Sequence, residues 1–120
     1  MSMNSSKEMA QLAIKAMEDK KAEDVRIIDI TGVSTIADYF IICSGNNASQ
    51  IQAICDNVDE MLGRAGFEKK QIEGYESANW VLIDYRDIIV HVFDKQNRIY
   101  YDLERIWRDG KMIEADELNS

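Results

Sequence analysis

Proline is absent from this chain of 120 residues, histidine occurs once and cysteine twice. Each shortage removes a class of protein. A zinc site wants about four Cys or His ligands, and Cys43 and Cys55 lack the close spacing of ligand pairs, so zinc is not expected. No uninterrupted apolar run approaches the roughly 18 residues that span a bilayer. Residues 1–7 are polar and lack the apolar stretch of a secretory signal. The expectation is a cytoplasmic protein with no membrane partner, its two cysteines reduced thiols in the core. Neither repeats nor a linker divide the chain, so one domain is expected over 1–120, with 7–107 as its folded core and 108–120 as a frayed acidic tail.

Basic charge is also short. Lys and Arg total 14 against 22 Asp and Glu, for a net charge of −8. Direct nucleic-acid binders carry a basic stripe, because neutralising phosphates dominates their affinity. The densest basic cluster here is Lys69 and Lys70, beside Glu68. Little direct nucleic-acid binding is therefore expected, and the acidic domain is steered toward basic proteins.

Catalytic patterns are sparse too. There is no G-x-S-x-G elbow and no phosphate-cradling glycine pattern. Ser44-Gly45 lies between a strand and a helix, where an anion-binding turn can sit. The strand-turn-helix join by itself accounts for Gly45. Asp29, Asp38 and Asp84 fall at strand ends and could converge on magnesium, but isolated strand-end aspartates more often cap turns. His91 would need a partner group and a pocket to act as a base. No cofactor, metal or catalytic residue is assigned.

What is present reads as an α/β domain with a mixed sheet flanked by helices. Met9, Leu12, Ala13, Ala16 and Met17 mark an amphipathic helix over 7–20, with Ser5 or Ser6 as its cap. A β-branched run over 25–30 predicts a strand. Residues 39–44 are almost continuously apolar, as in a strand covered on both faces. Asn47 and Gln50 resemble a capping box, with Ser49 a competing cap. The helix they open presents Ile51, Ile54, Cys55, Val58, Met61 and Leu62, and Gly66 is placed to close it. Residues 67–72 suggest an edge strand protected by its lysines. Runs 80–84 and 88–93 predict a hairpin about Tyr85-Arg86-Asp87. Ile99, Leu103 and Trp107 recur at helical intervals, though a turn and short strand also fit.

Aromatic residues crowd the last third: Trp80, Tyr85, Phe93, Tyr100, Tyr101 and Trp107. Interface centres favour Trp, Tyr and Arg, although a small core also needs aromatics. Alternation along residues 89–93 places His91 opposite Val90 and Val92, where it is a surface contact or a satisfied hydrogen-bonding residue.

Four blocks resemble the Iojap family, also called the ribosomal silencing factor (RsfS) family. They are Ala37-Asp38-Tyr39-Phe40-Ile41-Ile42-Cys43-Ser44-Gly45-Asn46, Trp80-Val81-Leu82-Ile83-Asp84-Tyr85, Val90-His91-Val92-Phe93, and Tyr100-Tyr101-Asp102-Leu103-Glu104-Arg105-Ile106-Trp107. Asn47 replaces the Ser that usually follows Gly-Asn, and Arg86 stands where Gly is common. The resemblance implies a nucleotidyltransferase-like fold without the catalytic aspartates. Gly45 is followed by Asn46 and no D-x-D occurs downstream, so the two-metal clamp of phosphoryl transfer is missing. It further implies binding to the large ribosomal subunit through ribosomal protein fourteen, blocked subunit joining and repressed translation when nutrients are scarce. Self-association into a homodimer is also implied. The expected partner-binding residues are Trp80, His91, Arg98, Tyr101, Asp102 and Glu104, with Asp84 as a weaker member. The rival reading is a small nucleotide-binding or nucleotidyltransferase-like enzyme using Ser44 and Gly45 beside Asp84.

Overall fold

The computed structural model describes residues 3–32, 35–95 and 111–113. Among these residues two helices and six strands follow in the order α1 (Met3–Asp19), β1 (Glu23–Asp29), β2 (Tyr39–Gly45), α2 (Ala48–Arg64), β3 (Gln71–Glu73), β4 (Trp80–Asp84), β5 (Ile88–Asp94) and β6 (Lys111–Ile113). The strands form one sheet, ordered β3-β4-β5-β2-β1-β6. β2 and β5 pair in parallel at its centre, and the other neighbours are antiparallel. Parallel neighbours need a long crossover, which α2, β3 and β4 supply between β2 and β5. The expected α/β domain with a mixed sheet is the observed architecture.

α2 follows from its own residues. Asn47 Oδ1 accepts the Gln50 backbone N–H at 2.8 Å, and the Gln50 side chain accepts from the Asn46 backbone N–H at 2.7 Å. Two donors at the helix entrance are thereby satisfied, with Asn46 in place of the cap residue as the second. The Gln50 amide also donates to the carbonyls of Lys20 and Lys21, at 3.2 and 3.1 Å, tying this entrance to the turn after α1. At the far end Gly66 adopts φ +92°, Phe67 N–H donates to Leu62 at 2.9 Å and Gly66 N–H to Gly63 at 3.0 Å. That pair of bonds satisfies carbonyls the last turn leaves open. Ile51, Ile54, Cys55, Val58 and Leu62 are buried, while Met61 is half-buried.

α1 begins earlier than periodicity suggests. Ser6 does not cap it: the side chain is buried inside the helix and its hydroxyl donates to the Asp38 carboxylate. A long-range bond has taken the oxygen that a cap would use. α1 and α2 both pack on one face of the sheet, against Ile27, Tyr39, Ile41, Cys43, Val81, Ile83, Val90 and Val92. No helix among the described residues is long and apolar enough to cross a membrane. Cys43 and Cys55 are buried and not joined in a disulfide, and burial pushes the Cys55 thiol up to about 12, so it stays protonated at neutral pH.

The opposite face carries a second cluster: Ile28, Ile30, Ala37, Phe40, Ile42, Ile89 and Phe93, with Trp80 and Leu82 packed against it. β2 contributes to both clusters and every one of its residues is buried, as a two-sided central strand requires.

The C-terminal stretch also differs from expectation. Lys111–Ile113, within the stretch read as a frayed tail, pairs with β1 as β6. Backbone pairing of this kind needs an open strand edge and no side-chain periodicity, so the sequence pattern is silent about it. The turn after β4 is left-handed at Arg86, with φ +75°, although no glycine stands there. Asp84 Oδ1 accepts the Arg86 backbone N–H at 2.7 Å and helps hold that conformation. The stretch from Ile99 to Trp107, open between a helix and a turn with a short strand, lies outside the described residues.

Candidate partner-binding site

The site begins at the first residue of β4. Gly74 has φ +79° and lies so close to Trp80 that an added Cβ would sit 2.3 Å from the Trp80 carbonyl oxygen. The Gly74 carbonyl in turn accepts from Ala78 N–H at 3.0 Å and from the Ser77 hydroxyl at 3.2 Å. Asp94 N–H donates to the Asn79 carbonyl at 2.9 Å. The chain entering β4 is thus fixed immediately before Trp80.

Strand register then assembles the side chains. Trp80 pairs with Phe93 and Leu82 with His91, all on the face opposite the helices. The Trp80 ring stacks on Phe93 at 5.2 Å and 24°, and its Nε1–H donates to His91 Nδ1 at 3.0 Å. Phe40 meets the imidazole edge to face at 4.7 Å. Phe93 lies nearly parallel to the imidazole, with centroids 6.2 Å apart. Aromatic pairs at such spacings add stability beyond their buried area.

His91 is only 3% exposed, and burial lowers its pKa to about 3. The imidazole is therefore neutral at physiological pH. Because Nδ1 accepts the indole proton, the ring proton resides on Nε2. That Nε2 is buried and has no hydrogen-bond partner among the described residues. Trp80, by contrast, is half-buried, so part of its indole remains available. Alternation placed His91 on the correct face, but the structure encloses it among aromatics instead of presenting it to solvent.

The other expected site residues divide in two. Asp84 lies at the opposite end of β4, about 13 Å along the strand from Trp80 at ~3.3 Å per residue, and its carboxylate serves the Arg86 turn. Arg98, Tyr101, Asp102 and Glu104 lie outside the described residues. The structure thus joins Trp80 to His91, while Asp84, at the far end of β4 from Trp80, is taken up by the Arg86 turn. The Trp80–His91 bond itself was missed from sequence. Its signal was the hairpin register, which sets Trp80 diagonally across from His91 on the same face.

The groups considered for metal or nucleotide chemistry are engaged elsewhere. Asp29 accepts from the Thr31 backbone N–H at 2.9 Å and from its hydroxyl at 2.6 Å. Asp38 takes the Ser6 hydroxyl. Among the described residues, no group of three or more His, Cys, Asp or Glu could hold a metal ion. Ser44 is buried, and a Cβ at Gly45 would come within 2.8 Å of Ile51 Cγ1 on α2. Gly45 therefore serves the close approach of strand and helix.

Residues 3–120 match the family model described as ribosomal silencing factor during starvation. A ribosomal silencing factor of Halalkalibacterium halodurans is 47% identical over 112 residues, covering 93% of this chain and 96% of that protein. One of Bacillus subtilis is 42% identical over 110 residues, covering 92% and 93%. A crystal structure from Chromobacterium violaceum superposes with a TM-score of 0.83 at 34% identity, covering 89% of this chain and 87% of that one. The chain belongs to the ribosomal silencing factor family.

Proposed function

We propose that this chain docks on the large ribosomal subunit through its ribosomal protein fourteen and sterically prevents the small subunit from joining. Translation is thereby repressed when nutrients are limiting. Family membership supports a ribosome-associated, translation-repressing role, and the relatives are named as silencing factors rather than enzymes. Occlusion of a surface needs no reacting group, so the chain acts without catalysis, in the cytoplasm.

The observation that carries the docking reading is Trp80. A half-buried indole held by a stacked ring and a hydrogen bond is a preorganised anchor, and such anchors dominate binding energy at protein interfaces. The net charge of −8 favours a basic protein over exposed RNA as the surface met. In this reading Trp80 and Tyr101 supply apolar contact, while Arg98, Asp102 and Glu104 meet charged groups on the partner.

Trp80→Ala and Tyr101→Ala, each verified as folded, should bind purified large subunits with a loss of about 2 kcal/mol or more. That corresponds to roughly thirtyfold weaker co-sedimentation affinity. Parent-like co-sedimentation of both variants would contradict the assignment.

A further inference from the structure

We propose that His91 is a positioning residue for partner docking, acting through Trp80 by holding the indole in one orientation without touching the partner. This rests on the reading that Trp80 meets the partner. His91 itself is closed off, at 3% exposure, and its side chain is hydrogen-bonded to Trp80, so Trp80 is the group through which it bears on a docked surface. Stacking on Phe93 sets the plane of the indole, and that plane is the same when the ring is flipped half a turn about Cβ–Cγ. The 3.0 Å bond from Trp80 Nε1 to His91 Nδ1 is met in only one of those two orientations. An anchor ordered before the encounter does not lose that rotational entropy on binding.

A second feature points the same way. Among the described residues, the bond to Trp80 is the hydrogen bond that the His91 side chain makes, and its buried Nε2–H has no partner there. An unpaired buried donor lowers stability. Packing alone, among Phe40, Phe93 and Ile42, would be served better by a phenylalanine. The imidazole is the less stable choice, and what it adds is an acceptor for the indole.

The test uses His91→Phe, which keeps a ring and loses the acceptor, and His91→Asn, which loses the ring and keeps an oxygen where Nδ1 stood. Two quantities are read: affinity for purified large subunits, and hydrogen exchange of the Trp80 indole proton by NMR in the free chain. The indole signal is assigned by its loss in Trp80→Phe. His91→Phe should be at least as stable as the parent, yet bind about tenfold more weakly and exchange its indole proton about tenfold faster. His91→Asn should be less stable, yet stay within about threefold of the parent in both.

A merely structural role predicts that binding follows stability across the two variants. Parent-like binding of His91→Phe beside a weakened Trp80→Ala would overturn the positioning role alone. Unchanged indole exchange in His91→Phe would do the same. Parent-like binding of Trp80→Ala would overturn the interface reading, and this proposal with it.

Discussion

Lowering the pH from about 7 to about 5 should cost the folded chain about 2 kcal/mol through His91 alone. Unfolded, the imidazole has the ordinary value of 6.5; folded, burial holds it at about 3. Between those values the unfolded chain binds a proton that the native chain does not. Stability is therefore full above the unfolded value and falls as the pH drops toward the folded one. The chain has a single histidine, so no second imidazole contributes in this window. Urea unfolding at several pH values measures the effect, with His91→Phe as the reference. The variant's stability should fall less steeply than the parent's, by about 2 kcal/mol over that interval. Parallel dependences would mean that His91 titrates normally in the native state. Below about pH 3, protonated Nδ1 would become a donor facing the Trp80 donor, so the aromatic cluster should loosen there.

Gly74→Ala should destabilise the chain by about 3 kcal/mol or more. Two independent penalties coincide at this position. The backbone sits at φ +79°, and the new methyl group would lie 2.3 Å from the Trp80 carbonyl oxygen. A backbone carbonyl in a paired strand cannot rotate aside as a flexible side chain would. Relief requires displacing the start of β4, so Trp80 fluorescence should change along with the unfolding midpoint. Gly63 provides the contrast, since nothing lies within 4 Å of a Cβ there. Gly63→Ala should be neutral or stabilise α2 by up to about 1 kcal/mol, as expected for Ala over Gly in a helix. Denaturant unfolding of both variants checks the pair. A Gly74→Ala chain within about 1 kcal/mol of the parent would show that the β3–β4 loop is softer than its geometry indicates.

These effects show where sequence is informative. α2 was legible because everything that defines it is local: Asn47 and Gln50 at its start, a stripe from Ile51 to Leu62, and Gly66 at its end. β2 was legible because a strand buried on both faces has no polar positions to confuse the pattern. Ser6 misled because its hydroxyl serves Asp38, a partner 32 residues away. β6 was hidden because three residues joining the open edge of β1 need only backbone groups. Arg86 shows the converse, a left-handed residue held by the Asp84 carboxylate where glycine would be the usual choice.

The candidate site was half legible, and the reason is specific. Alternation assigned His91 to the face opposite Val90 and Val92. Whether that face is wet depends on the neighbouring strand, and β2 lies beside β5 in parallel, setting Ile42 opposite His91 with Phe40 against its ring. A sequence cannot announce that neighbour without the crossover that creates it. Trp80 is singled out by its type, while its orientation needed the register of β4 on β5. Asp84 was drawn toward the interface by its position in a family block, yet its carboxylate is used by the turn. Tyr101, Asp102 and Glu104 fall in a family block and Arg98 just before it, among the charged residues mixed with the terminal aromatics.

The most direct test of the central claim is a subunit-joining measurement. Purified large subunits are incubated with saturating protein, small subunits are added, and the products are separated on a sucrose gradient. The protein should migrate with free large subunits and the joined-ribosome peak should shrink, while Trp80→Ala leaves that peak intact. A full joined-ribosome peak carrying the bound parent protein would contradict the account, because docking would then leave the joining face open.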